Sequence, residues 1–179
     1  CDHRPVGRGK STLLKVMLGL VEPERGEVLI DGIPLHRFGY KSFHSQTAAV
    51  LQEDSLFAGS LADNIALLDD EVDMERVISA ATAASIHDDI IQMPMQYETL
   101  IGDLGSTLSG GQKQQATLAR ALYRQPKILF MDEGTAHLDA RHERKVNEAI
   151  SAMGITRVII AHRKETIEAA DRALVMTGG

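Results

Sequence analysis

Leu108-Ser109-Gly110-Gly111-Gln112 stands between two other chemistry-bearing stretches, and that placement decides the architecture. Small residues at a helix start leave the first backbone N–H groups open to an anion. Upstream, Gly7-Arg8-Gly9-Lys10-Ser11-Thr12 runs into a helical pattern and makes a second helix start of the same kind. Downstream, Ile128-Leu129-Phe130-Met131 delivers Asp132-Glu133. Two anion-binding helix starts in one chain are odd for a lone nucleotide hydrolase. They make sense if each serves a nucleotide held by a different copy. The bland alternative is a flexible turn.

In the upstream loop, backbone N–H groups can surround phosphate oxygens, Lys10 adds a full charge, and Ser11 offers a hydroxyl to Mg²⁺. A surface turn containing Gly and Lys by chance is the competing reading. The full pattern G-x-x-x-x-G-K-[ST] has its first glycine where this chain has Arg4. Cys1-Asp2-His3 is not the apolar strand that should feed such a loop.

The downstream run is a four-residue apolar stretch suited to a buried central strand. Two acids at its end are costly unless they meet a cation or a reacting group. Asp132 suits a Mg²⁺-holding acid, and Glu133 a base that polarises the attacking water. Two solvated acids capping a helix are the alternative. His162 follows the apolar Val158-Ile159-Ile160-Ala161, and Gln52 ends Ala48-Val50-Leu51. Both point to the crevice beyond parallel strand ends. Each is weak alone and gains meaning from the other motifs.

The 179 residues suffice for one domain, with 44% hydrophobic and 25% charged residues, no Trp and 4% aromatics. The core is therefore aliphatic. A net charge of −6 argues against nucleic-acid binding. The single cysteine, Cys1, excludes an intrachain disulfide, and a cytosolic setting is the default expectation. No run approaches the roughly 18 apolar residues of a membrane span.

Strands and helices alternate, which predicts an α/β fold with a largely parallel sheet. A helix is expected over Ser11–Leu20 with Leu13, Leu14, Met17 and Leu20 on one face. Strands are expected over Gly26–Asp31, Thr47–Leu51, Ile128–Met131, Val158–Ala161 and Ala173–Met176. From Ser60 to Ile91, Ala, Ile and Leu recur at helical spacing until Pro94 interrupts. Gly110-Gly111 open a helix to about Arg124. Asp139 caps another whose apolar face carries Val146, Ala149, Ile150 and Met153, with Gly154 as its stop.

Taken in order, Gly7 to Thr12, Gln52, Leu108 to Gln112, Asp132-Glu133 and His162 resemble the nucleotide-binding domain of ABC transporters. The resemblance covers nearly the whole chain. It implies a P-loop NTPase core with an inserted helical lobe, N-terminally truncated: a single domain over 1–179. The core would be 1–59 and 118–179, and the lobe 60–117. It implies ATP and Mg²⁺ as cofactors. Gly7, Arg8, Gly9, Lys10, Ser11 and Thr12 would hold the phosphates, with Ser11, Gln52 and Asp132 at Mg²⁺. Gln52 would also meet the lytic water and link the chemistry to the transmembrane partner. Glu133 would be the base and His162 would steady the γ-phosphate. Ser109, Gly110, Gly111 and Gln112 would close on the ATP of a second nucleotide-binding domain in a head-to-tail dimer, and Asp139 would lie in the loop crossing that interface.

Thr99 to Gly105, with Asp103 where Glu is usual, and Ser55 to Ser60 look exporter-like. Asp132 to Asp139 is similar to bacterial peptide and bacteriocin exporters of the colicin V secretion type. These likenesses imply an exported peptide, transmembrane domains of the same exporter, and a place on the cytoplasmic face of the bacterial inner membrane. The chain would then be a fragment of a longer polypeptide. A DNA-associated ABC ATPase would carry long heptads between loop and signature, and none are present. A degenerate, non-hydrolysing ABC module kept for interaction is the alternative that Arg4 supports. Lys10, Glu133 and His162 oppose it.

Overall fold

A computed structural model describes residues 8–67, 69, 71–102, 108–132, 140–161, 164–168 and 170–176. Helix α1 (Arg8–Met17) opens it, followed by β1 (Leu29–Ile30), β2 (Ile33–Pro34), α2 (Leu35–Phe38), α3 (Tyr40–Ser45) and β3 (Thr47–Val50). Next come β4 (Gly59–Ser60), α4 (Leu61–Ile65), α5 (Met74–Ala83), α6 (His87–Ile91), a 3₁₀ turn at Gln96–Glu98 and β5 (Leu100–Ile101). Then α7 (Gly110–Tyr123), β6 (Ile128–Asp132), α8 (Ala140–Ala152), β7 (Thr156–Ile160) and α9 (Lys164–Glu168) complete the order.

Strands β3, β6 and β7 form a parallel sheet in that order, with Val50 opposite Met131 and Asp132 opposite Ile160. Alternation along the strands sends side chains to opposite faces. On β6, Leu129 and Met131 join a core with α4, α5, α7 and α8, while Phe130 joins Leu14, Leu18, Leu35 and Phe43 on the α1–α3 side. The sheet is thus covered on both faces, as parallel sheets require. Phe43 and Phe130 meet edge to face at 6.4 Å.

The helical region is a set of short helices joined through α7. Ser60 caps α4: Asp63 N donates to Ser60 Oγ at 3.0 Å, and Asp63 Oδ2 accepts from Ser60 N at 3.2 Å. The Ser60 hydroxyl also donates to Asp63 Oδ2 at 2.7 Å, and this bond, followed by that from Ser60 N, holds the Asp63 carboxyl below its usual range. The β4–β5 pair joins Ser60 to Leu100 and closes the region.

Several expectations change. Helix α1 starts at Arg8 and its buried face is Leu14 and Leu18; Leu13 and Leu20 are exposed. Gly19 N donates to Val16 O and Leu20 N to Lys15 O, a closure that places Leu20 beyond the helix. The expected Gly26–Asp31 strand shrinks to β1, because Asp31 and Gly32 adopt φ of 49° and 78° and turn the chain into β2. Strand β7 is half-buried, because it has a sheet neighbour on one side only among the described residues. Ala173–Met176 forms no strand: Val175 is 88% exposed, and no described strand lies beside it to pair its backbone. Helix α8 buries Val146 and Ile150 as expected, but Met153 lies past its end and is exposed.

Candidate nucleotide site

The C-terminal ends of β3 and β6 lie side by side. The paired register ends at Val50 opposite Met131, and Gln52 follows in a turn where Leu51 N donates to Asp54 Oδ2 at 2.8 Å. Adjacent strands run about 4.8 Å apart, so the end of β3 at Val50, two residues before Gln52, and the end of β6 at Asp132 share one edge of the sheet. Helix α1 packs on β6 and β7, which seats Gly9, Lys10, Ser11 and Thr12 in its first turns against the same layer. Lys10 and Ser11 are half-buried; Gly9 and Thr12 are exposed. A Cβ added at Gly9 would stand 3.3 Å from Met176 Cε, so the space over this helix start is narrow.

Asp132 is 7% exposed and ends β6 opposite Ile160. A buried carboxylate is costly unless a cation or donor meets it. Ser11, Gln52 and Asp132 supply hard oxygen donors, the set Mg²⁺ prefers. Among the described residues there is no cluster of three His, Cys, Asp or Glu that could hold a metal. Mg²⁺ is commonly held by one or two protein oxygens plus phosphates, and the oxygen donors of Ser11, Gln52 and Asp132 fit it. Gly7, Glu133, Asp139 and His162, like Arg4 and Asp103, lie outside the described residues.

The other helix start is separate. Ser109 caps α7: Gln112 N donates to Ser109 Oγ at 3.2 Å, and Ser109 N donates to Gln112 Oε1 at 3.0 Å. Gln112 Nε2 also donates to Asp89 Oδ2 at 3.2 Å, which ties this start to α6. Ser109 and Gly110 are exposed. No hydrogen bond among the described residues joins Ser109–Gln112 to Lys10, Ser11, Gln52 or Asp132. One chain thus presents an acid at the end of β6 and, at the start of α7, an exposed helix N-terminus.

Residues 5–136 match the family profile described as ABC transporter. This chain belongs to the ABC transporter family. Its fold is the ABC ATPase fold. A bacterial Atm1-family ABC exporter solved with ATP bound superposes with a TM-score of 0.87 at 36% identity, over 93% of this chain and 30% of that one. The colicin V secretion/processing ATP-binding protein of Escherichia coli is 54% identical over 94% of this chain and 24% of its own length. The toxin RTX-III translocation ATP-binding protein of Actinobacillus pleuropneumoniae is 44% identical over 97% of this chain and 25% of its own. The chain spans about a quarter of the length of these curated relatives. No described helix of this ABC chain is long and apolar enough to cross a membrane.

Asp89, Asn64 and Arg120 escaped the sequence reading. Ser60-x-x-Asp63 was a legible cap signal; the partners of Asn64 and Arg120 are long-range and left no local pattern.

Proposed function

We propose that this chain is the ATP-binding and ATP-hydrolysing domain of a bacterial exporter of peptides or bacteriocins. The buried Asp132 at the C-terminal end of β6, a strand that α1 packs against, carries the nucleotide reading. The likeness to colicin V and microcin-H47 secretion/processing ATP-binding proteins supports the substrate class. On this reading residues 1–179 are one ABC ATPase domain with 60–117 as its helical lobe.

The backbone of Gly7 to Thr12 and the Lys10 ammonium hold the ATP phosphates. Ser11, Asp132 and Gln52 hold Mg²⁺, which neutralises phosphate charge when bound. Glu133 takes a proton from the attacking water as its oxygen bonds the γ-phosphorus. The bond to the β–γ bridging oxygen breaks, releasing ADP and phosphate. His162 holds the γ-phosphate. Positioning and electrostatic stabilisation supply most of the catalysis.

Two copies pair head to tail about a two-fold axis, so that Ser109 to Gln112 of one close on the ATP of the other, and Asp139 lines the junction. Opening of the pair drives transmembrane domains of the same exporter, which place this domain on the cytoplasmic face of the inner membrane. The charge of −6 speaks against a nucleic-acid partner.

Replacing Glu133 with Gln tests this. Turnover should fall at least about a hundred-fold, with an ATP-bound dimer accumulating on gel filtration. Hydrolysis at the parent rate removes Glu133 from its role. Arg4 favours a second reading, a degenerate module that binds partners without hydrolysis. ATP titration of the parent and Arg4→Gly separates the two: binding by neither supports degeneracy.

A further inference from the structure

The Arg120 guanidinium, in the third turn of α7, reaches out of its own helix to three acceptors. Its Nε donates to Asn64 O at 2.8 Å, its Nη2 to Asn64 Oδ1 at 3.0 Å, and its Nη1 to Ser55 O at 3.0 Å. Its central carbon also stands 5.0 Å from the Phe57 ring centroid. Ser55 and Phe57 belong to the loop between β3 and β4 that also holds Gln52.

The same loop is tied down at its other points. Leu51 N donates to Asp54 Oδ2 at 2.8 Å. Phe57 N donates to Asn64 Oδ1 at 2.8 Å, and Asn64 Nδ2 donates back to Phe57 O at 2.9 Å. Asn64 is buried and Phe57 is 53% exposed. The loop thus rests on a polar hub whose charged member is carried by α7. The first turn of α7 holds Gly110, Gly111 and Gln112. At 1.5 Å per residue, Arg120 sits about 16 Å along the helix from Ser109.

We infer that Arg120 is a positioning residue that locks the Gln52 loop to the signature helix, so that a shift of the helix start moves Gln52. The inference rests on the reading that both segments meet nucleotide. A planar fork is needed because three acceptors at fixed angles are met by one group, which a lysine ammonium cannot reproduce. Loss of water around the guanidinium pulls its pKa down, and the nearby Asp54 charge opposes this.

Arg120→Lys keeps the charge and removes the fork. Hydrogen exchange in the intact chain without nucleotide reads the tie directly. Amides 51–57 should exchange about ten-fold faster, while those of α8 stay at parent rates. With Mg²⁺ and ATP, turnover should fall roughly ten- to hundred-fold, because Gln52 is misplaced. ATP affinity should stay within about two-fold, since the phosphate loop is untouched. Phe57→Leu, at an exposed site, should shift the same amides in the same direction by less, and it decides the question if Arg120→Lys does not fold. Parent-like exchange and turnover in Arg120→Lys would overturn the inference, as would exchange that rises equally in α8. If the parent itself fails to hydrolyse ATP, the functional reading falls and the exchange result still decides the tie.

Discussion

Replacing Asn64 with leucine removes a polar hub and keeps the number and branching of side-chain heavy atoms, so no cavity complicates the result. Asn64 is 2% exposed. Its side chain accepts from Phe57 N and Arg120 Nη2 and donates to Phe57 O and Ser60 O, all between 2.8 and 3.0 Å. A net hydrogen bond is worth about 0.5–1.5 kcal/mol, and a buried group left unpaired costs about 1–3 kcal/mol. The two Phe57 groups sit at an exposed residue and can rehydrate, so each belongs at the low end. Ser60 is buried and its carbonyl loses this donor, which belongs in the middle of the second range. Arg120 keeps Asn64 O and Ser55 O and loses one contact. The total is about 3–4 kcal/mol. For a chain of this length that lowers Tm by about 6–15 °C. Urea unfolding followed by circular dichroism should show the midpoint falling with an unchanged slope. A loss below about 1 kcal/mol would mean that water replaces these bonds almost fully and that the hub is not a stabilising element.

Gly19 has φ 70°, and a Cβ there would lie 2.8 Å from Tyr40 Cε1 and 2.9 Å from Leu35 Cδ2. Gly19→Ala should therefore cost about 2–4 kcal/mol in strain and overpacking by chemical denaturation; a cost under about 0.5 kcal/mol would refute the clash. Ser109→Ala removes the acceptor for Gln112 N and should cost about 1 kcal/mol, read as a Tm drop of about 2–4 °C. Burial pushes the Tyr97 hydroxyl from 10.0 up to about 12. Its folded pKa is the higher one, so its stabilisation is complete below pH 10 and is lost as pH rises towards 12. Between those values the parent should lose more stability than Tyr97→Phe in parallel alkaline melts, and equal slopes would contradict the assignment.

Local chemistry made some features legible in advance. Ile128 to Met131 is continuous and apolar, and only a strand covered on both faces suits that composition; β6 is that strand. Small residues at Ser109 to Gly111 mark a helix start, and α7 begins there. The face of α1 was less legible. Leu13, Leu14, Met17 and Leu20 fit a helical period, but the Gly19 closure and the position of Phe43 and Phe130 decide that Leu14 and Leu18 are the buried pair. At the site, Asp132 and Gln52 were named from their strand ends, whereas the partners of Arg120 had no sequence signal.

By itself the sequence determined where strands β3, β6 and β7 and helices α1, α7 and α8 fall along the chain, and the residue types at the helix starts and strand ends. Those depend on backbone conformation, local spacing and side-chain chemistry within a few residues. Only the tertiary structure decided which strands are neighbours, that Val175 pairs with no described strand, and that Arg120 reaches Asn64 and Ser55 across 56 and 65 residues. Contacts of that separation are selected by the packing of the whole core. No local pattern encodes them.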